Sequence, residues 1–157
     1  MSDLNAGSKV KGLDTPPTVQ DSQSGTYSFT NTSYGVSVSS GTYADCGVVF
    51  IAPTTGRVIV KLAAFLRNST AAQGANIAPV VRTGGTIGSG STVLAAADAT
   101  SVQMNGNGSN TDGGRTGVEV LVEGLTPGDE YNVRLEHRVT ANTGLTTRRS
   151  VIVAPAT

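Results

Sequence analysis

The sequence predicts an all-β protein, an antiparallel β-sandwich preceded by an extended N-terminal arm. Short segments of alternating apolar and polar residues recur along the chain, and this period of two is that of half-buried strands. Turn-forming residues separate the segments, and 20 of the 157 residues are glycine. No series of helical segments alternates with the strands, as a βαβ fold would require. A chain of this length can bury a sizeable core as one domain.

The arm is assigned to residues 1–25 and the sandwich to residues 26–157. Residues 14–18 include two consecutive prolines, which impose extended geometry and exclude a helix or a central strand. Residues 21–25 then have the composition of a flexible joint. The arm is therefore expected to be either a disordered tail or a segment that docks along a neighbouring protein. In the second case its contact residues are Val10, Leu13, Pro16, Pro17 and Val19.

Strand signals are dense from Thr26 onward, and residues 93–99 have the composition of a single helical turn. The segment 57–67 is apolar on one face and half apolar on the other. We predict that this second face, with Ile59 and Phe65, meets a neighbouring subunit, so that the protein forms a homo-oligomer, with a trimer as one option. The predicted strands are 27–30, 46–52, 57–67, 77–82, 92–96, 101–105, 117–123, 130–139 and 146–153.

Two turn motifs indicate which kind of sandwich is formed. The run Phe50–Val60 contains Phe-Ile-Ala-Pro-Thr-Thr-Gly and resembles a strand–turn–strand pattern of the trimeric jelly rolls of the tumour necrosis factor and complement-head type. The run Leu125–Leu135 contains Leu-Thr-Pro-Gly before Tyr131 and resembles the tyrosine corner of fibronectin type III and immunoglobulin-like sandwiches. The chain is longer than a fibronectin module and has no tryptophan, which favours a jelly roll over an immunoglobulin-like topology.

Charge and cysteine content exclude several classes of partner. Eleven basic residues balance eleven acidic ones, and no basic cluster predicts a nucleic-acid interface. We expect no membrane insertion, since no apolar stretch approaches a spanning length, and no secretory signal, since the first residues lack a basic segment followed by an apolar run. Cys46 is alone and is interpreted as a small buried hydrophobic residue.

No residue pattern predicts catalysis, a cofactor or a metal. The single histidine, His137, shares strand parity with core residues and is interpreted as a structural residue with a local hydrogen bond. The segment 105–112 has many side-chain oxygens but one carboxylate, whereas calcium sites need several. Glu119 and Glu123 share a strand face that is expected to be solvated. We therefore interpret the protein as not being an enzyme.

Two further interpretations concern binding. The tandem Arg148 and Arg149 are expected to lie at a solvated strand edge or to contact an acidic partner. A carbohydrate or receptor site would use exposed aromatic rings, for which Tyr34 and Tyr43, near predicted loops, are the candidates. A host surface glycan or receptor is therefore kept as an alternative partner.

A broader resemblance covers nearly the whole chain. It is carried by residues 6–10, 14–19, 50–58, 125–135 and 151–157, which look like blocks of small virion proteins of tailed phages of actinobacteria. The resemblance implies a bacteriophage virion component, either a minor tail or baseplate protein or a head decoration protein. Its partners would be other virion proteins of the tail, the baseplate or the capsid, and it would reach the particle by assembly in the host cytoplasm.

Overall fold

The computed structural model describes residue 12 and residues 14–106 and 113–157. Almost all regular structure in these ranges is strand, with one short 3₁₀ turn at Asp98–Thr100, which overlaps the end of the segment 93–99 that was expected to hold a helical turn. The strands are β1 (Val19–Gln23), β2 (Tyr27–Phe29), β3 (Ser40–Gly41), β4 (Gly47–Ile51), β5 (Val58–Asn68), β6 (Gly74–Thr83), β7 (Thr92–Leu94), β8 (Val102–Asn105), β9 (Gly114–Val122), β10 (Glu130–Val139) and β11 (Gly144–Pro155).

The strands form two antiparallel sheets packed face to face. The first sheet has the order β3-β2-β11-β5-β9, with β1 also paired to β11. The second has the order β4-β10-β6-β7, with β8 also paired to β6. The strands β1 and β2 share one edge of β11, and β7 and β8 share one edge of β6. Counting each of these pairs as one strand leaves five strands in the first sheet and four in the second. Two antiparallel sheets packed in this way form a sandwich, so the predicted all-β sandwich is confirmed.

The core lies between the sheets and follows the predicted alternation. On β5, Val58, Val60 and Leu62 are buried, while the intervening residues are only partly covered. On β10, Tyr131, Val133, Leu135 and His137 face inward on the same parity. Alternation over an 11-residue strand places one continuous apolar stripe against the opposite sheet, and such burial is the main driving force for folding.

The boundary of the arm differs from the sequence prediction. Residues 19–23 were assigned to the arm, but they form β1, which pairs with β11 from Val19 opposite Val153 to Gln23 opposite Arg149. The Asp21 carboxylate also accepts a hydrogen bond from the backbone N–H of Gly47 at 3.0 Å, so β1 is tied to β4 of the second sheet. This part of the chain therefore belongs to the sandwich.

Both turn motifs have the local structure expected of them. After Pro53, the N–H of Gly56 donates to the Pro53 carbonyl at 2.8 Å, and Gly56 has a φ of 63°. In the second motif the phenol oxygen of Tyr131 accepts a hydrogen bond from the N–H of Thr126 at 2.9 Å. The side chain thus closes back onto the backbone before its own strand, as in a tyrosine corner.

Replacing Gly56 by alanine is expected to destabilise the fold more than the same change at Gly124. Both glycines have positive φ, which costs an alanine about 1 kcal/mol. A Cβ at Gly56 would also lie 2.6 Å from the Leu125 carbonyl oxygen, whereas one at Gly124 meets nothing within 4 Å. The clash should add roughly 1–3 kcal/mol to the loss. Urea unfolding of the two variants measures the difference, and equal losses would contradict the close approach of these turns.

Candidate binding surface

A bulge in β11 decides where the tandem arginines point. Thr147 lies opposite Phe65 of β5 and Ser150 lies opposite Ala63, so Arg148 and Arg149 together oppose a single residue. Arg148 has a φ of 50°, in the left-handed region that non-glycine residues rarely adopt. Because a bulge adds one residue to the strand, it turns successive side chains out of simple alternation. Arg148 is exposed on the outer face, and Arg149 enters the core.

The interpretation of both arginines as a solvated strand edge is therefore wrong. The strand β11 has β1 and β2 on one side and β5 on the other. Arg149 is 1% exposed, and its Nη1 donates to the Ala44 carbonyl at 2.9 Å and to the phenol oxygen of Tyr27 at 3.3 Å. Its guanidinium carbon also lies 4.5 Å from the centre of the Tyr27 ring, in cation–π geometry.

The buried polar groups around Tyr27 have a structural role, because they bond to one another inside the core and are not exposed to a ligand. The His137 Nε2 lies 2.8 Å from the Ser37 carbonyl, which can only accept, so this nitrogen carries the proton and Nδ1 accepts from the Tyr27 hydroxyl at 3.1 Å. Burial lowers the pKa of His137, and the Arg149 cation lowers it further against the opposing effect of the Ser37 carbonyl. The imidazole is therefore neutral at neutral pH.

Cys46 fits the sequence interpretation of a buried hydrophobic residue. Its side chain is fully buried within the core cluster. Burial raises the pKa of the thiol to about 12, and the neighbouring Asp21 carboxylate acts in the same direction. The protonated thiol is a weak nucleophile. In the part of the chain that the structure describes, no group of three or more His, Cys, Asp or Glu residues is placed to hold a metal ion.

Both tyrosines considered for carbohydrate binding are held by the protein itself. The Tyr34 hydroxyl donates to the Asp98 carboxylate at 2.9 Å, and the guanidinium of Arg138 lies 5.4 Å from the centre of the Tyr34 ring. The Tyr43 hydroxyl donates to Asp45 at 2.9 Å, and its ring packs 5.6 Å from that of Tyr27. These contacts fix the orientation of both rings and occupy their hydroxyl groups.

The two glutamates that were considered as a carboxylate pair each form an ion pair with a basic residue of the same chain. Glu119 and Glu123 are exposed, as predicted, and pair with Lys61 at 2.7 Å and Arg57 at 2.9 Å. Both ion pairs lie on the outer face of the first sheet. The Lys61–Glu119 pair joins β5 to β9, and the Arg57–Glu123 pair lies just beyond the end of these two strands. Residues 107–112 of the oxygen-rich segment lie outside the described residues.

The residues predicted to dock on a neighbour fall in two places. Pro16 is buried, Pro17 is exposed, and Val19 in β1 packs against the core of its own chain. Ile59 and Phe65 lie on the outer face of β5, as predicted. Val10 and Leu13 lie outside the described residues. The outer face of β5 is therefore the part of the prediction that the fold leaves available for contact.

This outer face has two ends of different chemistry. At the apolar end, Ile59 and Leu121 are directly opposed on β5 and β9, and Pro155 of β11 lies beside them. Leu121 is 46% exposed. These side chains line a shallow hollow of about 420 Å³ whose rim includes Arg57 and Glu119.

At the arginine end, Arg148 separates two adjoining hollows. The larger, of about 510 Å³, is lined by Phe65, Ser24, Thr26, Thr147 and Arg148. The smaller, of about 180 Å³, is lined by Arg115, Arg148 and Arg149 together with Ser22, Gln23, Ser24 and Ser150. Sequence reasoning did not bring Arg115 and Arg148 together, because they come from strands that are separated by β5.

Comparisons with known proteins assign no family. No protein-family model matches the chain, and no curated protein matches it. Among solved structures, a chain of infectious bursal disease virus Gt strain is similar, with 10% identity and a TM-score of 0.46 over 99% of this chain and 39% of that chain. A chain of the Gx strain has 10% identity and a TM-score of 0.37, over 89% and 38% respectively. This chain therefore spans less than half of either viral chain. In the described ranges, no helix is long and apolar enough to cross a membrane.

Stability is expected to fall as the pH drops below about 6.5, the ordinary pKa of histidine. The buried His137 has a lowered pKa, so in the window below 6.5 the unfolded chain binds more protons than the folded one, and the free energy of unfolding decreases. Urea unfolding at several pH values from 7.5 to 5 measures this slope. A His137→Gln variant should be less stable at pH 7.5 but show a shallower slope, and an unchanged slope would contradict the assignment.

Proposed function

We propose that this protein is a non-enzymatic structural protein of a bacteriophage virion, a β-sandwich module of the tail or baseplate that mediates assembly or host attachment. Two lines of reasoning support the proposal. Blocks along nearly the whole sequence resemble small virion proteins of tailed phages. The fold is an antiparallel β-sandwich, an architecture that presents broad sheet faces to neighbours.

The observation that carries the proposal is the apolar end of the outer face. Ile59, Leu121 and Pro155 form an apolar surface on the outer face of the first sheet, and the residues that the structure describes place no further layer over it. The hydroxyl-, amide- and glycine-rich composition elsewhere makes such a patch distinctive, since exposed apolar patches mark interaction sites more often than single exposed residues do.

The partner proposed for this patch is a second copy of the chain. The Arg57–Glu123 and Lys61–Glu119 pairs place both signs of charge beside the same apolar surface. A surface that carries cation and carboxylate side by side can face a rotated copy of itself with opposite charges in contact, and it thereby meets the need of a symmetric dimer for a self-complementary surface. Pro17 of the arm and Ile51 of β4 are exposed on another part of the molecule and remain available for other virion proteins.

The location of the protein tests the proposed function. In purified particles of the phage that encodes it, mass spectrometry should detect the protein, and immunogold labelling should place it on the tail or baseplate. Label confined to the head would replace this assignment by the decoration protein considered from the sequence. Absence of the protein from purified particles would contradict a virion role of either kind.

Self-association is expected to depend on Leu121 and not on Val93. Both are exposed large hydrophobic residues, at 46% and 40%, but Val93 lies on β7 of the second sheet. By light scattering the wild-type protein should have the mass of an oligomer, Leu121→Asn should weaken association by at least about tenfold, and Val93→Asn should leave it unchanged. A wild-type monomer at micromolar concentration, or equal effects of the two substitutions, would contradict the proposed contact.

A further inference from the structure

The distribution of paired and unpaired cations on this protein is uneven. Arg57, Lys61, Arg82, Arg134 and Arg138 each lie within 4.0 Å of a carboxylate. Among the residues that the structure describes, no carboxylate lies this close to the remaining arginines, which are Arg67, Arg115, Arg148 and Arg149.

All of these arginines are on the first sheet at the same end. Phe65 of β5 is directly opposite Arg115 of β9 on one side and Thr147 of β11 on the other. Arg67 lies two residues beyond Phe65, and Arg148 follows Thr147. On β9 the described carboxylate that shares the outer face with Arg115 is that of Glu119, which is neutralised by Lys61 at 2.7 Å. In a chain with no net charge, the described residues at this end of the sheet therefore carry a local excess of positive charge.

Arg148 occupies its position at a conformational cost. A φ of 50° disfavours any residue with a Cβ by about 1 kcal/mol or more, and glycine or asparagine would hold the bulge more easily. Among the described residues, the Arg148 side chain has neither an ion-pair partner nor a hydrogen bond, whereas Arg149 next to it donates to the Ala44 carbonyl and the Tyr27 hydroxyl. Residues that are held in sparsely populated backbone conformations, with no side-chain contact to offset the cost, cluster at binding sites.

The groups around Arg148 fit one class of ligand. Ser22, Ser24 and Ser150 line the smaller hollow with Arg115 and Arg148, and Thr26 and Thr147 line the larger one with Phe65. Guanidinium groups bind phosphate, sulfate and carboxylate groups through charge-assisted hydrogen bonds. Hydroxyl side chains can exchange hydrogen bonds with sugar hydroxyls, and a partly exposed phenyl ring offers a surface for the apolar face of a sugar ring.

We propose that the arginine end, defined by Arg115, Arg148, Phe65 and the surrounding hydroxyl groups, is a binding site for an anionic glycan. The anionic group of a sugar lies between Arg115 and Arg148, and a neighbouring sugar ring lies over Phe65. The bulge in β11 builds the site, because it directs Thr147 and Arg148 to the outer face in succession. This inference depends on the residues of the outer face and is independent of where the protein sits in a particle.

Binding of matched polysaccharides tests the proposal. The probes are dextran, dextran sulfate, dextran phosphate and carboxymethyl dextran, with inorganic sulfate and poly-glutamate for comparison. Calorimetric titration should detect binding of at least one anionic dextran and no binding of neutral dextran. The anionic form that binds most tightly identifies the charged group. Equal binding of neutral dextran, or poly-glutamate binding as tight as the best dextran, would overturn the assignment to an anionic glycan.

Substitutions separate a specific site from general charge. Arg148→Gly relieves the positive φ, so it should keep or raise the melting temperature while it weakens binding by about tenfold or more. Arg115→Gln should weaken binding to a similar extent. The matched control is Arg57→Gln, which removes one positive charge from the other end of the same face and should leave binding within about twofold. Equal losses in all three variants, or normal binding by Arg148→Gly, would overturn the site.

The outcome is distinguishable from that of the self-association test. Leu121 lies at the apolar end, so the Leu121→Asn variant should bind the same anionic dextran as the wild-type protein does. Loss of glycan binding in Leu121→Asn would show that the site needs the assembled form and would overturn a site within one chain.

Discussion

The bulge in β11 is the constraint on which both the interior and the outer surface of the first sheet depend. The strand is flanked on both sides for most of its length, so any change in its alternation is transmitted to β1, β2 and β5. By placing Arg148 and Arg149 opposite one residue of β5, the bulge sends one guanidinium outward and its neighbour inward. Consecutive arginines thereby acquire opposite roles, one in stability and one in recognition.

The inward arginine connects the two sheets through a short polar chain. Arg149 of the first sheet donates to the Tyr27 hydroxyl, which in turn donates to His137 of β10 in the second sheet. Burying a guanidinium is costly unless its hydrogen bonds are satisfied. Here the Ala44 carbonyl and the Tyr27 ring compensate in part, while Nε and Nη2 of Arg149 have no hydrogen-bond partner among the described residues. Burial lowers the pKa of His137 and keeps the imidazole neutral, and the neighbouring Arg149 cation acts in the same direction. One cation, that of Arg149, thus connects the buried polar groups of the core, and the cations of Arg115 and Arg148 lie on the outer face of the same sheet.

Much of the fold was predictable because it depends on local patterns. Alternation over β5 and β10 and the turns at Gly56 and Tyr131 each appear as predicted. The extent of the arm was not, because β1 has polar residues on both faces and is held by pairing to a distant strand. Arg149 could have been placed inward by its parity with Val151 and Val153, but a charged residue argued for the surface. The site around Arg115 and Arg148 required the strand order, which no short segment of sequence encodes.

The different surroundings of Arg148 and Arg149 can be measured directly by NMR of the arginine Nε–H groups, in the free protein and in the presence of an anionic dextran. The account predicts that the Arg149 signal is protected from exchange with water and insensitive to the ligand, because its side chain is 1% exposed. The Arg148 signal should exchange rapidly in the free protein and shift when the ligand is added. Rapid exchange at both arginines, or a ligand-induced shift at Arg149 with none at Arg148, would contradict the account.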